Sequence, residues 1–242
     1  LAGYDPLLHR RFLVDYFTGK FPGSPSRGLP FGNNPKTGDT RVSGSLASLV
    51  GLEVALENND AHAIDQAINT ILLLHSMILS FGGIPLLYYG DAIGTLNNPA
   101  YLDDQFKMND SRWVHRSHFD WEKAELRHQQ GSIEHRIFSA LKKMIALRKE
   151  LTAFADFDNR HFLMGDNPNL LVFSRTDVQN NRNRVLVIGN FSIEEQILDA
   201  SKLVQHGFFQ QGSMKDLCSG MRIESSGGRV TLPPLSYFWL VE

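Results

Sequence analysis

The chain has 242 residues, of which 42% are hydrophobic and 21% are charged, the composition of an ordinary globular protein. A net charge of −2 argues against nucleic acid or an anionic membrane as a partner. The single cysteine, Cys218, excludes an internal disulfide framework. No run of about 18 apolar residues is present, so no membrane span is expected. Because the chain starts without Met, the compartment stays open, with the cytoplasm favoured and secretion not excluded.

Residues 21–44 are rich in turn formers and are expected to form a long structured loop. The stretch FPGSPSRGLPFGNNPKTGDTRVSG contains five glycines and four prolines. Its apolar residues, Phe21, Leu29, Phe31 and Val42, argue against disorder. Long ordered loops are uncommon in compact domains and are usually functional.

Residues 61–80 are predicted to form a helix. The apolar residues of AHAIDQAINTILLLHSMILS recur at steps of three and four, as on one face of a helix. Asp60 can cap its start, and Gly82 and Gly83 can end it.

The apolar run from Ile84 to Tyr89 is predicted to form a short strand that is covered on both faces. Pro85 is tolerated there because it lies near the start of the run. Gly90 and Asp91 follow the run and favour a turn. In α/β folds ligands bind at the carboxyl ends of the strands, so this turn is expected at the active face.

The pattern changes near residue 155. Residues 131–150 predict a last helix with Lys and Arg in its final turn, where the helix dipole favours cations. Beyond it, the short runs NLLVFSR, NRVLVIGNF, GRVTLPP and SYFWLVE are separated by turn residues. This alternation predicts an antiparallel β-domain.

These segments resemble the α-amylase superfamily. GGIPLLYYGDAIG is similar to the eighth-strand segment of its barrels, and MIALRKELTAF is similar to the helix that closes them. VLVIGNFS and TLPPLSYFWLV resemble its C-terminal β-domain. At a finer level, GYDPLLHRRFL, RGLPFGNNPKTGDTRVSGSLASLVGLE and NDSRWVHR resemble the amylosucrase and sucrose hydrolase subfamily.

The resemblance implies an α/β plus all-β fold in three parts. Residues 1–57 would be an acceptor-side loop subdomain inserted after barrel strand seven. Residues 58–155 would be the C-terminal portion of a (β/α)8 barrel, with a helix, strand eight, a loop and the closing helix. Residues 156–242 would be the antiparallel β-domain.

The resemblance also implies that the catalytic centre is missing. Retaining glycosidases use two carboxylates about 5 Å apart, and in this superfamily they precede strand eight. No His-Asp-Asp triplet, the family's transition-state stabiliser, occurs in the sequence. The chain alone is therefore expected to have no catalytic residues. Sucrose and α-glucan would be partners only through the complete enzyme, together with its N-terminal part.

Four residues match substrate-binding positions of the family. Arg112 would pair with an Asp of the missing part and close the glucosyl pocket, since a guanidinium bonds a carboxylate bidentately. Arg41, Arg10 and Asn34 would contact sugars on the acceptor side. The alternative is that Arg112 is a surface residue, and that Arg10 and Arg41 form ion pairs with Asp5 or Asp39 and only stiffen the loop.

Two positions depart from the family pattern. Ala92 follows Gly-Asp where the superfamily usually has Glu, which puts local polar contacts in doubt. Gly32 stands where the polymerising enzymes carry a larger polar residue, which could shift the balance from transfer towards hydrolysis.

No cofactor or metal is expected. The nine histidines show no ligand spacing, and His115 and His118 have no Cys or carboxylate pattern beside them. Two alternatives stay open: another α-amylase-superfamily enzyme, such as a trehalose or maltose isomerase, and a freestanding carbohydrate-binding module.

Overall fold

The computed structural model describes residues 3, 5–163 and 167–242. These residues form two compact units. The first runs to Ile71 and adds Leu87–Phe138; the second comprises Leu72–Leu86 and Ser139–Glu242. The division into residues 1–57, 58–155 and 156–242 follows different boundaries and stays a proposal.

The first unit is mainly helical and carries one small β-hairpin. Its helices begin with α1 (Pro6–Phe17), α2 (Leu46–Leu49) and α3 (Leu52–Glu57), and the hairpin consists of β1 (Leu29–Phe31) and β2 (Arg41–Ser43). Two long helices, α4 (Ala61–Phe81) and α6 (Ile133–Glu150), each run from the first unit into the second, and the short α5 (Trp121–Glu125) lies between them in sequence.

The helix α1 is not anticipated from the sequence pattern. The Asp5 carboxylate accepts from the backbone N–H groups of Leu7 and Leu8 and so caps the helix. Pro6 at the first position is preorganised for the helix, because its missing N–H would have no intrahelical partner. No residue of α1 is buried, so the apolar periodicity that reveals a core helix is weak here.

The helices α4 and α6 agree with the sequence pattern. The Asp60 carboxylate accepts from the Ala63 N–H at 3.0 Å, and Ser132 Oγ accepts from the His135 N–H at 3.0 Å. By length and composition α4 could cross a membrane, but 56% of its most apolar window is buried inside the protein. Burial of this kind is typical of a core helix.

The second unit contains the β-structure and the short helix α7 (Ala200–Val204). A six-stranded antiparallel sheet has the order β3-β4-β5-β10-β7-β8, and β6 pairs with β9 in a second sheet. The antiparallel β-structure predicted for the C-terminal part is therefore present. The strands are β3 (Arg160–Phe162), β4 (Leu170–Thr176), β5 (Arg184–Asn190), β6 (Gln196–Asp199), β7 (Ser213–Asp216), β8 (Arg222–Glu224), β9 (Arg229–Leu232) and β10 (Tyr237–Val241).

One predicted element is absent. Residues 84–88 belong to no helix or strand, and a 3-10 helix covers Tyr89–Ile93. The prediction of a buried strand is wrong for this chain: Ile84 is 86% exposed and Leu86 is 88% exposed. The physical reason is that a buried strand needs strands on both sides. Every strand pairing within the described ranges is antiparallel and involves other residues.

Candidate functional site

A cleft of about 700 Å³ opens in the first unit between α1 and the hairpin β1–β2. One face of α1 forms the first wall, since its lining residues are spaced as neighbours on a helix surface. The turn that connects β1 to β2 forms the second wall. The lining residues are Leu7, Arg10, Arg11, Val14, Asp15, Lys20, Pro30, Phe31, Gly32, Asn33, Thr37, Gly38, Asp39 and Thr40.

Hydrogen bonds within the hairpin turn fix its shape. The Asn34 N–H donates to the Asp39 carbonyl at 2.8 Å, and the Gly38 N–H donates to the Asn34 carbonyl at 2.8 Å. The Asn34 side-chain oxygen accepts from the Lys36 N–H at 3.0 Å, as in an Asx turn. Asn34 therefore shapes the turn, and its side chain is not part of the cleft lining.

Arg10 lies in the cleft and forms an ion pair across it. Its Nη1 is 3.4 Å from Asp39 Oδ2, and both side chains are exposed. This is the stiffening contact that the sequence allows as the alternative to sugar binding. Arg41 pairs with Phe31 in the hairpin ladder and is exposed, but it is not a lining residue.

Arg112 lies in a separate small hollow of about 200 Å³, together with Asp110, Trp113 and Arg116. Its Nε is 2.8 Å from Asp110 Oδ1, and its Nη2 is 2.6 Å from Asp110 Oδ2. The Asp110 carboxylate also caps the 3-10 helix Ser111–Val114. The Arg112 side chain is 61% exposed. In this chain its guanidinium pairs with Asp110, two residues earlier in the sequence.

The ion pair changes the pKa values of both partners. The Arg112 guanidinium lowers the pKa of Asp110 to about 2, first by a side-chain hydrogen bond and then through the Arg112 backbone N–H. The same hydrogen bond raises the pKa of Arg112. Both groups therefore stay charged throughout the physiological range.

Replacement of Arg112 by Gln should raise the pKa of Asp110 from about 2 towards its ordinary value of 3.8. The shift should be visible in a carboxyl-carbon NMR titration. Asp104, whose pKa is lowered by its hydrogen bond to Lys107, is the internal control and should titrate unchanged. An unchanged Asp110 titration would show that the pair does not persist in solution.

A contact that sequence reasoning missed joins the hairpin to the Arg112 segment. Ser43, at the end of β2, has its Oγ 2.9 Å from His115 Nδ1 and 3.3 Å from the Ser111 carbonyl. Burial lowers the pKa of His115, as does the nearby charge of Arg116. The two residues of the contact are 72 positions apart, and no local pattern reveals such a pair.

Two aromatic residues, Tyr88 and Tyr89, directly precede Gly90 and Asp91. The rings of Tyr88 and Tyr89 are 4.4 Å apart, and the Tyr89 hydroxyl donates to the Ser117 carbonyl at 2.9 Å. Burial is the first cause that raises the pKa of Tyr88 to about 12, followed by its hydrogen bond with Tyr89. Ala92, the departure from the family pattern, is half-buried in the same 3-10 helix.

The cleft is suited to binding hydroxylated molecules. Its lining offers donors on Arg10 and Arg11, acceptors on Asp15 and Asp39, and hydroxyl groups on two threonines.

No family model matches the chain. A curated relative, glucosylglycerate phosphorylase from Escherichia coli (strain K12), is 23% identical over 171 residues, which cover 70% of this chain and 27% of the relative. The chain thus spans about a quarter of that protein.

Two solved structures share the fold. One is AmyP in complex with maltotriose, with a TM-score of 0.54 at 14% identity, covering 72% of this chain and 34% of that chain. The other is a pullulanase from Anoxybacillus sp. LM18-11, complexed with maltotetraose. It has a TM-score of 0.53 at 16% identity and covers 81% of this chain and 26% of that chain. The chain therefore shares its fold with a part of each of these two structures.

Proposed function

We propose that this chain forms the acceptor side and the C-terminal β-domain of a retaining α-glucosyl-transferring enzyme of the α-amylase superfamily. The observation that carries the proposal is the shared fold: the matched structures cover most of this chain, while it covers only 34% and 26% of them. Such an enzyme forms a covalent glycosyl intermediate and passes the sugar to an acceptor. The cleft beside α1 would hold that acceptor.

The glucosyl donor in this proposal is sucrose, and the acceptor is a growing α-1,4-glucan or water. The support is the resemblance of residues 27–53 to amylosucrase and sucrose hydrolase, since residues 30–33 and 37–40 of this stretch line the cleft. Arg10 would contact the acceptor within the cleft, and Arg41 and Asn34 would act beside it. At Gly32, a Cβ would meet no atom within 4 Å, so this side of the cleft is left open to water.

The partner of the chain in this proposal is the preceding part of the same enzyme, with the first seven barrel strands. Ile84 and Leu86 support it, because both are almost fully exposed and alternate with the half-buried Leu87. An apolar run with this alternation would bury its open face if neighbouring strands were added.

The purified 242-residue chain should release neither glucose nor fructose from sucrose. The reason is that it contains no residue matched to the nucleophile or the acid of a retaining glycosidase. Both products are measured by coupled enzymatic assay, with a polypeptide that also carries the preceding barrel part as positive control. Clear turnover by the chain alone would overturn the proposal.

In that longer polypeptide, Arg112→Ala should lower kcat/KM for sucrose by roughly two to three orders of magnitude. Arg112→Lys should restore little activity, because an ammonium group cannot make the bidentate contact that this proposal gives Arg112 with an Asp of the preceding part. Arg41→Ala should instead alter the product distribution, since it acts on the acceptor side. Arg182→Ala, an exposed arginine of the β-domain, is the control and should leave both unchanged. A normal kcat/KM for Arg112→Ala would make Arg112 a surface residue.

A phosphorylase is the second candidate function. It is favoured by the curated relative, which is named a glucosylglycerate phosphorylase, and by the cations of the cleft. In a phosphorylase the acceptor of the glucosyl group is phosphate rather than a sugar hydroxyl. The two candidates use the same fold and differ in the charge of the acceptor.

A further inference from the structure

The charged groups of the cleft do not cancel. Three cationic residues line it, Arg10, Arg11 and Lys20, against two carboxylates, Asp15 and Asp39. Arg10 is neutralised by its ion pair with Asp39. Within residues 5–163 and 167–242, neither Arg11 nor Lys20 forms an ion pair with a carboxylate.

The two cations without ion pairs are held at defined places. Arg11 projects from α1 towards the hairpin turn, because a Cβ at Gly38 would lie 4.0 Å from its Nη2. Lys20 follows the end of α1, where its backbone N–H donates to the Asp15 carbonyl at 2.8 Å. The backbone of both residues is therefore fixed by hydrogen bonds, and the Arg11 side chain reaches the hairpin turn.

The opposite wall is ordered as well. The Asp39 N–H donates to Thr37 Oγ1 at 3.2 Å, and Thr40 Oγ1 donates to the Asn33 side-chain oxygen at 3.2 Å. These bonds fix the two hydroxyl groups on the hairpin wall of the cleft. A ligand in the cleft therefore meets the Arg11 cation from the α1 wall and hydroxyl groups from the hairpin wall.

We propose that this cleft binds a small hydroxylated anion, with Arg11 and Lys20 as the residues that recognise its charge. The inference rests on the phosphorylase, the second candidate of the proposed function, because it assigns a negative charge to the ligand of the acceptor cleft. A guanidinium suits a carboxylate or phosphate group, since it donates two parallel hydrogen bonds to two oxygens. Asp15, one helical turn after Arg11, accepts from the hydroxyl groups and disfavours a ligand of high charge.

The charge of the ligand is tested by NMR titration of the 242-residue chain. The probes are inorganic phosphate, glycerate, uncharged glycerol and maltose, and the signals are the backbone amides of Gly32, Gly38 and Thr40. Glycerate should shift these amides at lower concentration than glycerol does. The difference should shrink at high salt, because the cations are exposed to solvent. Phosphate and glycerate carry their negative charge on different groups, a phosphate and a carboxylate. If phosphate binds as tightly as glycerate does, the cleft recognises the charge alone.

The double variant Arg11→Gln, Lys20→Gln should weaken glycerate binding by about three- to tenfold. It should leave glycerol binding unchanged. The double variant Lys142→Gln, Lys149→Gln, at two exposed lysines on α6 that line no part of the cleft, is the charge-matched control and should bind glycerate normally.

The outcomes separate the inference from the proposed function. If maltose shifts the amides and neither anion does, the anion assignment is wrong and the acceptor cleft stands. If the double variant binds glycerate as tightly as the unmodified chain, the assignment to Arg11 and Lys20 is wrong. If no probe shifts these amides, both the inference and the acceptor cleft fail.

Discussion

Replacement of Arg175 by Met should lower the free energy of unfolding of the second unit by about 3–5 kcal/mol. Arg175 is fully buried, and its guanidinium donates to the carbonyls of Ser80 and Asp156 and to the Asn159 side-chain oxygen. Methionine fills most of the volume but leaves these three acceptors without a donor. An unsatisfied buried acceptor costs about 1–3 kcal/mol, which makes the loss large.

The environment of Arg175 explains why lysine is an incomplete replacement. Burial is the first cause that lowers the pKa of Arg175 to about 10, and the charges of Arg160 and Arg148 follow. A lysine at this position would face the same positive neighbours without the planar fork that reaches separated carbonyls. Arg175→Lys should therefore recover only part of the stability.

The measurement is urea unfolding followed by far-UV circular dichroism, analysed for both the midpoint and the slope. Arg182→Met, at an exposed position of the same unit, is the matched control and should change stability by no more than about 0.5 kcal/mol. A loss below about 1 kcal/mol for Arg175→Met would show that the three carbonyls find other partners.

Replacement of Trp239 by Ala should cost about 3–5 kcal/mol of stability, as is typical for a buried aromatic residue. Trp239, on β10, is fully buried and packs edge-to-face on Phe154, with ring centroids 5.0 Å apart. Its indole Nε1–H donates to Ser76 Oγ at 2.9 Å, and its backbone N–H donates to Asp216 Oδ1 at 3.0 Å. The substitution removes the ring and leaves a cavity and an orphaned hydroxyl.

The ring and the hydrogen bond can be separated with a double-mutant cycle. Trp239→Phe keeps most of the ring volume and removes the donor, and Ser76→Ala removes the acceptor. The coupling between them should be about 1 kcal/mol, the usual net value of a hydrogen bond. Trp121→Ala, at an indole that is 72% exposed, is the control; a similar loss there would contradict a specific role for Trp239.

Local periodicity predicts the elements that carry their own pattern. The helices α4 and α6 are long, amphipathic and capped by Asp60 and Ser132. The strands β4, β5 and β10 each contain a run of at least four apolar residues, and all of these are found where the sequence predicts them. The strands β6, β7 and β8 have only three or four residues each, too short for a period-two pattern to identify them.

The site was predictable only in part. The sequence indicates that residues 21–44 form an ordered functional loop, and Arg10 does lie in the cleft beside it. The sequence offers Asp5 and Asp39 as partners for Arg10, and only the side-chain positions select Asp39; the pairing of Arg112 with Asp110 is not indicated by the sequence. The roles of Arg112, Arg41, Arg10 and Asn34 in binding stay predictions.

The sequence by itself determined the helices, the main antiparallel strands and the resemblance to the α-amylase superfamily, because these depend on local periodicity and on short motifs. The tertiary structure alone decided which residues meet across long separations: Arg10 with Asp39, Ser43 with His115, and Arg175 with the Ser80 carbonyl. The tertiary structure also decided that residues 84–88 form no strand. A strand is stabilised by the backbone hydrogen bonds of its neighbours, so an apolar run that reads as a strand stays exposed where the described chain supplies none.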